Sequence, residues 1–333
     1  MQTEAERLLD MIRGYWTSQV VASLAQLGFA DRLASGPMPA ADVAAACGCD
    51  PDATFRLLRA SGSLGLTERL PDGRHALAPM GALLRTGVPF SLADFAMALN
   101  APGHWLPWGH LADAVREGGP QARRTLGRDI FDHYAANPEE GARFTRAMGN
   151  LSTRVAGEAA RLIDTAGAEH VVDVGGAGGV IAGALLAAHP CMTATILDLP
   201  HAAEVAARAI AERGQSARCA FVAGDFFAAV PEADLYVLKH IIHDWDDTSS
   251  VRILSNCARS LRAGGRVYLI ECVVPEEGEA TYAHLLDLNM LVLATGRERT
   301  QAEFAALLAQ SGLRLVRTMK TASPFDIIEA AAA

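Results

Sequence analysis

VVDVGGAGGVIAGALL, residues 171–186, decides the fold. Its first four residues are apolar and β-branched around one acidic residue, a buried-strand pattern. A glycine cluster follows, then an alanine- and leucine-rich run with helical character. Strand, glycine turn and helix together form the opening unit of a nucleotide-binding α/β sheet. Glycines here let the backbone turn with positive φ and approach a ligand closely. Two familiar versions of the loop fail. A dinucleotide fingerprint begun at Gly176 and Gly178 would need a third glycine where Ile181 stands. A P-loop would need a Gly-Lys-Ser/Thr run, and none follows.

Downstream, strand-like and helical runs alternate. The strands are expected at 170–174, 193–197, 219–223, 234–239, 266–272, 313–320 and 325–330. Helices are expected at 179–188, 201–213, 248–262, 283–293 and 301–310. Such alternation marks an α/β fold with a doubly wound, mostly parallel, Rossmann-like sheet. The last two strands have no helix between them, so an antiparallel strand is expected to end the sheet.

Three strands end in acidic residues in register: Asp173, then Asp198, then Asp225 after Gly224. Ligands of such sheets bind beyond the carboxyl ends of the strands. Asp173 beside the glycines repels a pyrophosphate and suits a cationic or amine-bearing ligand. Asp198 stands where a ribose-binding carboxylate belongs. Asp225 is placed to accept from an adenine amino group, with Phe226 against the ring. Ribose, adenine and a positively charged tail describe S-adenosylmethionine better than NAD. The plainer reading of each Asp is a helix N-cap. The fourth strand runs into LKHIIHDWDD, residues 238–247, which sets two histidines just past the strand end. An imidazole with a pKa of about 6.5 suits proton abstraction at neutral pH.

The 333 residues allow two domains. A net charge of −9 disfavours a polyanion as the main ligand. No apolar run is long enough to cross a bilayer, and the start has no signal-peptide core. The six cysteines show no CxxC or zinc spacing and read as reduced thiols of a cytoplasmic protein. The front half is different in kind. Residues 4–35 have helical periodicity with breaks at Gly28 and Gly36-Pro37. Helices are expected at 40–47 and at 51–63, the second capped by Asp50, followed by a hairpin around Pro71-Asp72-Gly73. That is a winged-helix order. Between 40 and 80 there are four Arg and no Lys against five Asp/Glu, which argues for packing or dimerisation and against DNA. Residues 90–155 are helical and aromatic, with Trp105 and Phe144 among them.

VVDVGGAGG, ILDLPH, GDFF, LKHIIHDWDD, the Ile270-Glu271-Cys272 strand end and GRERTQAEF match, in order, the S-adenosylmethionine-dependent O-methyltransferases. The group the chain resembles is the plant caffeate-type enzymes and their bacterial natural-product relatives. The resemblance covers about 15–320 and is strongest over 171–304. It implies a class I methyltransferase domain at 161–333 and a helical, winged-helix-like dimerisation domain at 1–100. Between them, 101–160 is a helical linker contributing to the acceptor pocket. It implies a homodimer, S-adenosylmethionine as cofactor and an aromatic small-molecule acceptor such as a phenol, polyketide or phenazine, with neither nucleic acid nor membrane as partner.

The resemblance also assigns roles. Asp173, Gly175 and Gly176 would meet the methionine part of the cofactor. Asp198 and Leu199 would meet the ribose side, and Gly224, Asp225, Phe226 and Phe227 the adenine. Lys239 would contact the cofactor at the end of strand four. Trp245 is either a wall to the adenine or plain core. His243 stands at the general-base position, flanked by Glu271 and Glu298, either of which is suited to hold its far nitrogen. Trp105, Phe144, Met148, His240, Asp244 and Met290 would line the acceptor pocket. A metal on His240, His243 and His284 is conceivable from their types, but no metal is expected. The plainer reading makes His243 a helix-start cap and Glu271 an ion-pair partner. Departures from the pattern are Ala177 where a third consecutive glycine is usual, Leu151 in place of a polar pocket residue, and a shorter loop after Met290 that lacks an Asn.

Overall fold

The computed structural model describes residues 2–278 and 282–333. The chain divides into two compact units, 1–105 with 131–150, and 106–130 with 151–333. The expected middle segment, 101–160, is therefore shared between the two rather than set apart.

The front unit opens with helices Glu4–Ile12, Gly14–Gln26 and Phe29–Leu33, broken at Arg13 and at Gly28, whose φ is +71°. Helices Ala40–Cys47 and Pro51–Ser63 follow, and the Asp50 carboxylate caps the second through the Ala53 amide at 2.8 Å. Strands β1 (Thr67–Arg69) and β2 (His75–Leu77) pair antiparallel as the expected hairpin. Leu24, Phe29, Leu33, Val43, Leu58 and Leu66 close the core. The first helix buries none of its residues. Leu8, Leu9, Met11 and Ile12 on it, and Tyr15 and Trp16 beyond, are 44–70% exposed.

The second unit holds one seven-stranded sheet. Its strands are β3 (His170–Val174), β4 (Thr193–Asp198), β5 (Cys219–Ala223), β6 (Ala233–Lys239), β7 (Leu261–Glu271), β8 (Leu313–Met319) and β9 (Asp326–Ala332). The order across the sheet is β5-β4-β3-β6-β7-β9-β8. The first five strands are parallel, and β9 runs antiparallel to both neighbours. Strand residues alternate between two cores. Val171, Leu235, Val237, Tyr268 and Ile270 face one; Val172, Tyr236, Leu238, Val267 and Leu269 face the other. A parallel sheet covered on both faces needs this double alternation.

One expectation changes. The antiparallel strand does not end the sheet; β9 is inserted between β7 and β8, which is the edge. The cause is apolarity. β9 buries all but its last residue, whereas β8 buries only Leu313, so the hairpin turns its more apolar strand inward.

The strand order reverses at β3, whose neighbours are β4 and β6. Crossovers on either side of such a switch diverge and leave a crevice at the carboxyl ends. Pairing brings Asp173, Asp198 and Lys239 to that edge, level with Ile196, Ala223 and Ile270 of the adjacent strands. The three acidic residues are therefore not in the expected register: Asp198 lies two residues beyond the partner of Asp173, and Asp225 two residues past the end of β5.

Candidate active site

The glycine loop follows β3 directly. Gly175 has φ +66°, and a side chain on it would collide with Ile241, so both conformation and space require glycine. A Cβ on Gly176 would lie 2.6 Å from the Asp173 carboxyl carbon. The pair keeps a bare backbone over the strand end, the cradle that close approach of a cofactor needs. Ala177 adopts φ +46°, a left-handed conformation that the usual glycine would adopt without strain. Below the loop, Arg213 donates to the Gly178 carbonyl at 2.6 Å, a support the sequence reading missed.

Asp173 is 2% exposed and accepts from the Ala182 amide at 3.1 Å, satisfying a free donor in the first turn of helix Val180–Ala188. Burial pushes its carboxyl up to about 7, against the pull of that amide. Asp198 and Asp225 differ from it. Asp198 is half-buried and accepts from the amides of Ala177 at 2.8 Å and Leu199 at 2.7 Å. Asp225 is exposed and accepts from the Phe227 amide at 2.8 Å. Gly224 donates to the Asp198 carbonyl at 2.9 Å, tying the two strand ends together. Leu199 is 46% exposed beside them. Phe226, Phe227 and Trp245 form one aromatic group. Trp245 meets Phe227 edge-on at 4.7 Å and Phe226 at 6.1 Å, and all three are half-buried against the core.

At the end of β6 the chain turns sharply. Lys239 sits with its ammonium 5.1 Å from the Phe325 ring centre. Burial lowers it to about 8, opposed by the Glu271, Asp244 and Asp173 carboxylates. His240 has φ +53°. His243 lies in the short 3-10 turn Ile242–Asp244 and is 5% exposed. Its Nδ1 is 2.6 Å from Oε1 of Glu298, which is 2% exposed. Its Nε2 is 3.5 Å from Asp244, a half-buried carboxyl that burial raises. Burial pushes the His243 imidazole down. The carboxylates of Asp244, Glu298 and Glu271 outweigh it and bring the group to about 9.

The two glutamates have separate jobs. Glu298 holds the imidazole. Glu271, fully buried, accepts from the Ile241 amide at 3.2 Å and the Ile242 amide at 3.0 Å, so it fixes the turn that carries His243. Burial raises Glu271 to about 7, with His243 pulling the other way. The plainer reading of His243 as a cap finds no support, since its ring is bonded to Glu298 and Asp246 caps the following helix at the Ser249 amide, 2.7 Å away.

Two further residues escaped the sequence reading. Gly296 passes against the His243–Trp245 backbone, where a Cβ would run into the His243 carbonyl and stand 2.5 Å from the Trp245 nitrogen. Arg299, 1% exposed, donates to the carbonyls of Ile242 at 3.1 Å and Trp245 at 2.8 Å, and to Asp247 at 2.8 Å. The signal for both was the GRERTQAEF run, which begins at Gly296 and contains Arg299. Met290 is buried in helix Tyr282–Leu293. Trp105, Phe144 and Met148 belong to the front unit. There Phe144 stacks on Tyr134 at 4.6 Å, and Tyr134 bonds His104 at 2.9 Å. Among the described residues, His240, His243 and Glu271 form the one group whose donor atoms are close enough to hold a metal ion; His284 is not part of it.

The arrangement unites a backbone cradle, carboxylates at or near three strand ends and a buried imidazole held by a carboxylate. A family model for the O-methyltransferase domain matches residues 108–314, and one for the O-methyltransferase dimerisation domain matches 9–87. The phenazine O-methyltransferase PhzM of Lysobacter antibioticus is 36% identical over 324 residues, 97% of this chain and 95% of that protein. The crystal structure of LaPhzM superposes with a TM-score of 0.96 at 35% identity, covering 99% of this chain and 100% of that one. An O-methyltransferase from neocarzinostatin biosynthesis, solved with S-adenosylmethionine and 2-hydroxy-5-methyl naphthoic acid, gives a TM-score of 0.80 at 34% identity, over 95% of this chain and 96% of that one. The chain belongs to the S-adenosylmethionine-dependent O-methyltransferase family, as an enzyme with a dimerisation domain at its front.

Proposed function

We propose that this enzyme methylates a phenolic hydroxyl of an aromatic small molecule, with His243 as general base. The observation that carries the reading is the buried His243–Glu298 pair at 2.6 Å, set one turn beyond β6. A phenol has a pKa of about 10, so its attack on carbon gains from a positioned base, typically about 10²–10⁴-fold. S-adenosylmethionine supplies, when bound, a methyl group already activated on a sulfonium. The protein's share is alignment and proton removal.

Glu298 holds Nδ1 and leaves Nε2 to face the acceptor hydroxyl, as a carboxylate does for the histidine of hydrolase triads. In the free protein His243 is an imidazolium at neutral pH, because its carboxylates bring it to about 9. A cationic cofactor alongside lowers that value, since like charge disfavours the protonated form. Binding of the cofactor thereby arms the base. Asp173, poised near 7, gains ionisation from the same charge. Gly175 and Gly176 accommodate the methionine part, Lys239 its carboxyl end, Asp198 and Leu199 the ribose, and Gly224, Asp225, Phe226, Phe227 and Trp245 the adenine. Met290, His240 and Asp244 face the acceptor.

The enzyme acts as a homodimer through its front unit, whose first helix exposes Leu8, Leu9, Met11 and Ile12. No helix among the described residues is long and apolar enough to cross a membrane. Buried free thiols at Cys219, Cys257 and Cys272 support a cytoplasmic setting.

Incubation with methyl-labelled S-adenosylmethionine and a panel of phenols, naphthols and hydroxyphenazines tests the reading. Label on a phenolic oxygen is expected. Label on nitrogen or carbon, or no binding of the cofactor by calorimetry, contradicts it.

A further inference from the structure

We propose that His240 determines specificity, selecting with Glu271 acceptors that carry a second hydrogen-bond donor, hydroxyl or amino, on the ring atom next to the methylated hydroxyl. The inference rests on the phenol reading above and names the substrate class within it.

Three buried atoms in the site have no partner: Nε2 of His240, Oε2 of Glu271 and Oε2 of Glu298. The last belongs to the carboxylate that holds His243, and the first two sit together beside it. Leaving such atoms bare costs about 1–3 kcal/mol each, so a ligand that satisfies them is favoured strongly over one that does not. A ring nitrogen of His240, a ring nitrogen of His243 and a carboxylate oxygen of Glu271 all lie within 4.8 Å of one another. Two donors on adjacent ring atoms, each about 2.8 Å from its acceptor, span such a gap. The methylated hydroxyl then addresses His243, and its neighbour addresses His240 and Glu271. A carboxylate oxygen only accepts, and a neutral imidazole nitrogen accepts in the tautomer protonated on Nδ1. The missing partner of Glu271 is therefore a donor, and His240 accepts from it too when protonated on Nδ1.

His240 is held in place for this at a cost. Its φ of +53° is left-handed, one of three such non-glycine residues among those described. Strain of this kind persists where surroundings fix it, often at functional sites. Here the amide donates to the Ile270 carbonyl at 3.1 Å, and the ring is clamped between His243 at 4.4 Å and the Phe325 edge at 4.4 Å. Burial, with Lys239 and His243 adjacent, pushes the imidazole well below its usual range and keeps it neutral.

The test is the ratio of kcat/KM for a naphthol with two adjacent hydroxyls to that for the single-hydroxyl analogue, whatever happens to each rate. The wild-type ratio is expected at about 10–100-fold. His240→Phe should bring it to within a few-fold of unity. His240→Asn keeps an acceptor and tolerates positive φ, so it should retain most of the preference. Circular dichroism and thermal melting check that both variants fold. An unchanged ratio in a folded His240→Phe enzyme overturns the inference, as does a wild-type ratio near unity with both naphthols methylated. Loss of turnover on chelator treatment also overturns it, because the three donors then hold a metal. A wild-type enzyme that methylates neither naphthol overturns the phenol reading and this inference with it.

Discussion

The two flanks of the switch point treat their carboxylates in opposite ways. On the β4–β5 side, Asp198 and Asp225 are half-buried or exposed and already hold backbone amides. On the β6–β7 side, Glu271 and Glu298 are almost wholly buried, each with one oxygen unpartnered, and they surround two histidines and a lysine. A carboxylate tied to amides is a shaped acceptor for neutral hydroxyl and amino groups. A desolvated cluster stores electrostatic energy that responds to every proton and every cation. One sheet edge thus carries two kinds of carboxylate, amide-bound on one flank and desolvated among basic groups on the other, separated by one strand. On the proposed function the first recognises the cofactor and the second handles the proton.

Substitutions on the two flanks should split this contrast. Glu298→Gln removes the charge that holds His243 and is expected to lower kcat by about 10²–10⁴-fold, with the Kd for S-adenosylmethionine changed only a few-fold. Asp198→Asn should do the reverse, weakening the cofactor by about 10–100-fold while kcat at saturation stays within a few-fold. Steady-state kinetics alongside calorimetry separates the two, and equal effects of both variants on kcat would break the comparison.

The pH response follows from the sign of the His243 shift. As the proposed base, His243 must lose its proton to act, and its free-protein value is raised to about 9. kcat/KM for the cofactor reports the free enzyme, so it should rise about tenfold per pH unit from 7 until it bends near 9. kcat reports the complex, in which the cationic cofactor depresses the base, so its rise should come at lower pH. A kcat/KM profile flat from 7 to 9 would remove the buried side's special character.

The smallest effect concerns the loop. Ala177→Gly should relieve about 1–2 kcal/mol of left-handed strain and return about 0.4–1 kcal/mol as chain entropy. A net stabilisation under about 1 kcal/mol in thermal melting is expected. Destabilisation would mean that the alanine methyl packs against something essential.

Much of this was legible in the sequence because it is local. The acidic residues Asp173, Asp198 and Asp225, at or just past three strand ends, follow from apolar runs that meet a carboxylate. Their register did not follow: pairing sets Asp173 level with Ile196 and Asp198 level with Ala223. The histidine turn was equally visible. What was hidden depends on segments far apart in sequence meeting in space. Which glutamate holds His243 could not be read from spacing, since Glu271 and Glu298 are both remote from it. Gly296 and Arg299 fold back on the turn from more than fifty residues away. The place of β9 was hidden for a related reason. Chain order makes it last, but the burial of its side chains puts it inside the sheet.

The central claim is that His243, held by Glu298, removes the proton. Single-turnover methyl transfer by His243→Gln, with cofactor and a phenolic acceptor both saturating, tests it most directly. A rate reduced by about 10²–10⁴-fold, with cofactor binding retained, is the predicted result. A rate within a few-fold of the wild type would mean that alignment alone drives the reaction, and would contradict the assignment.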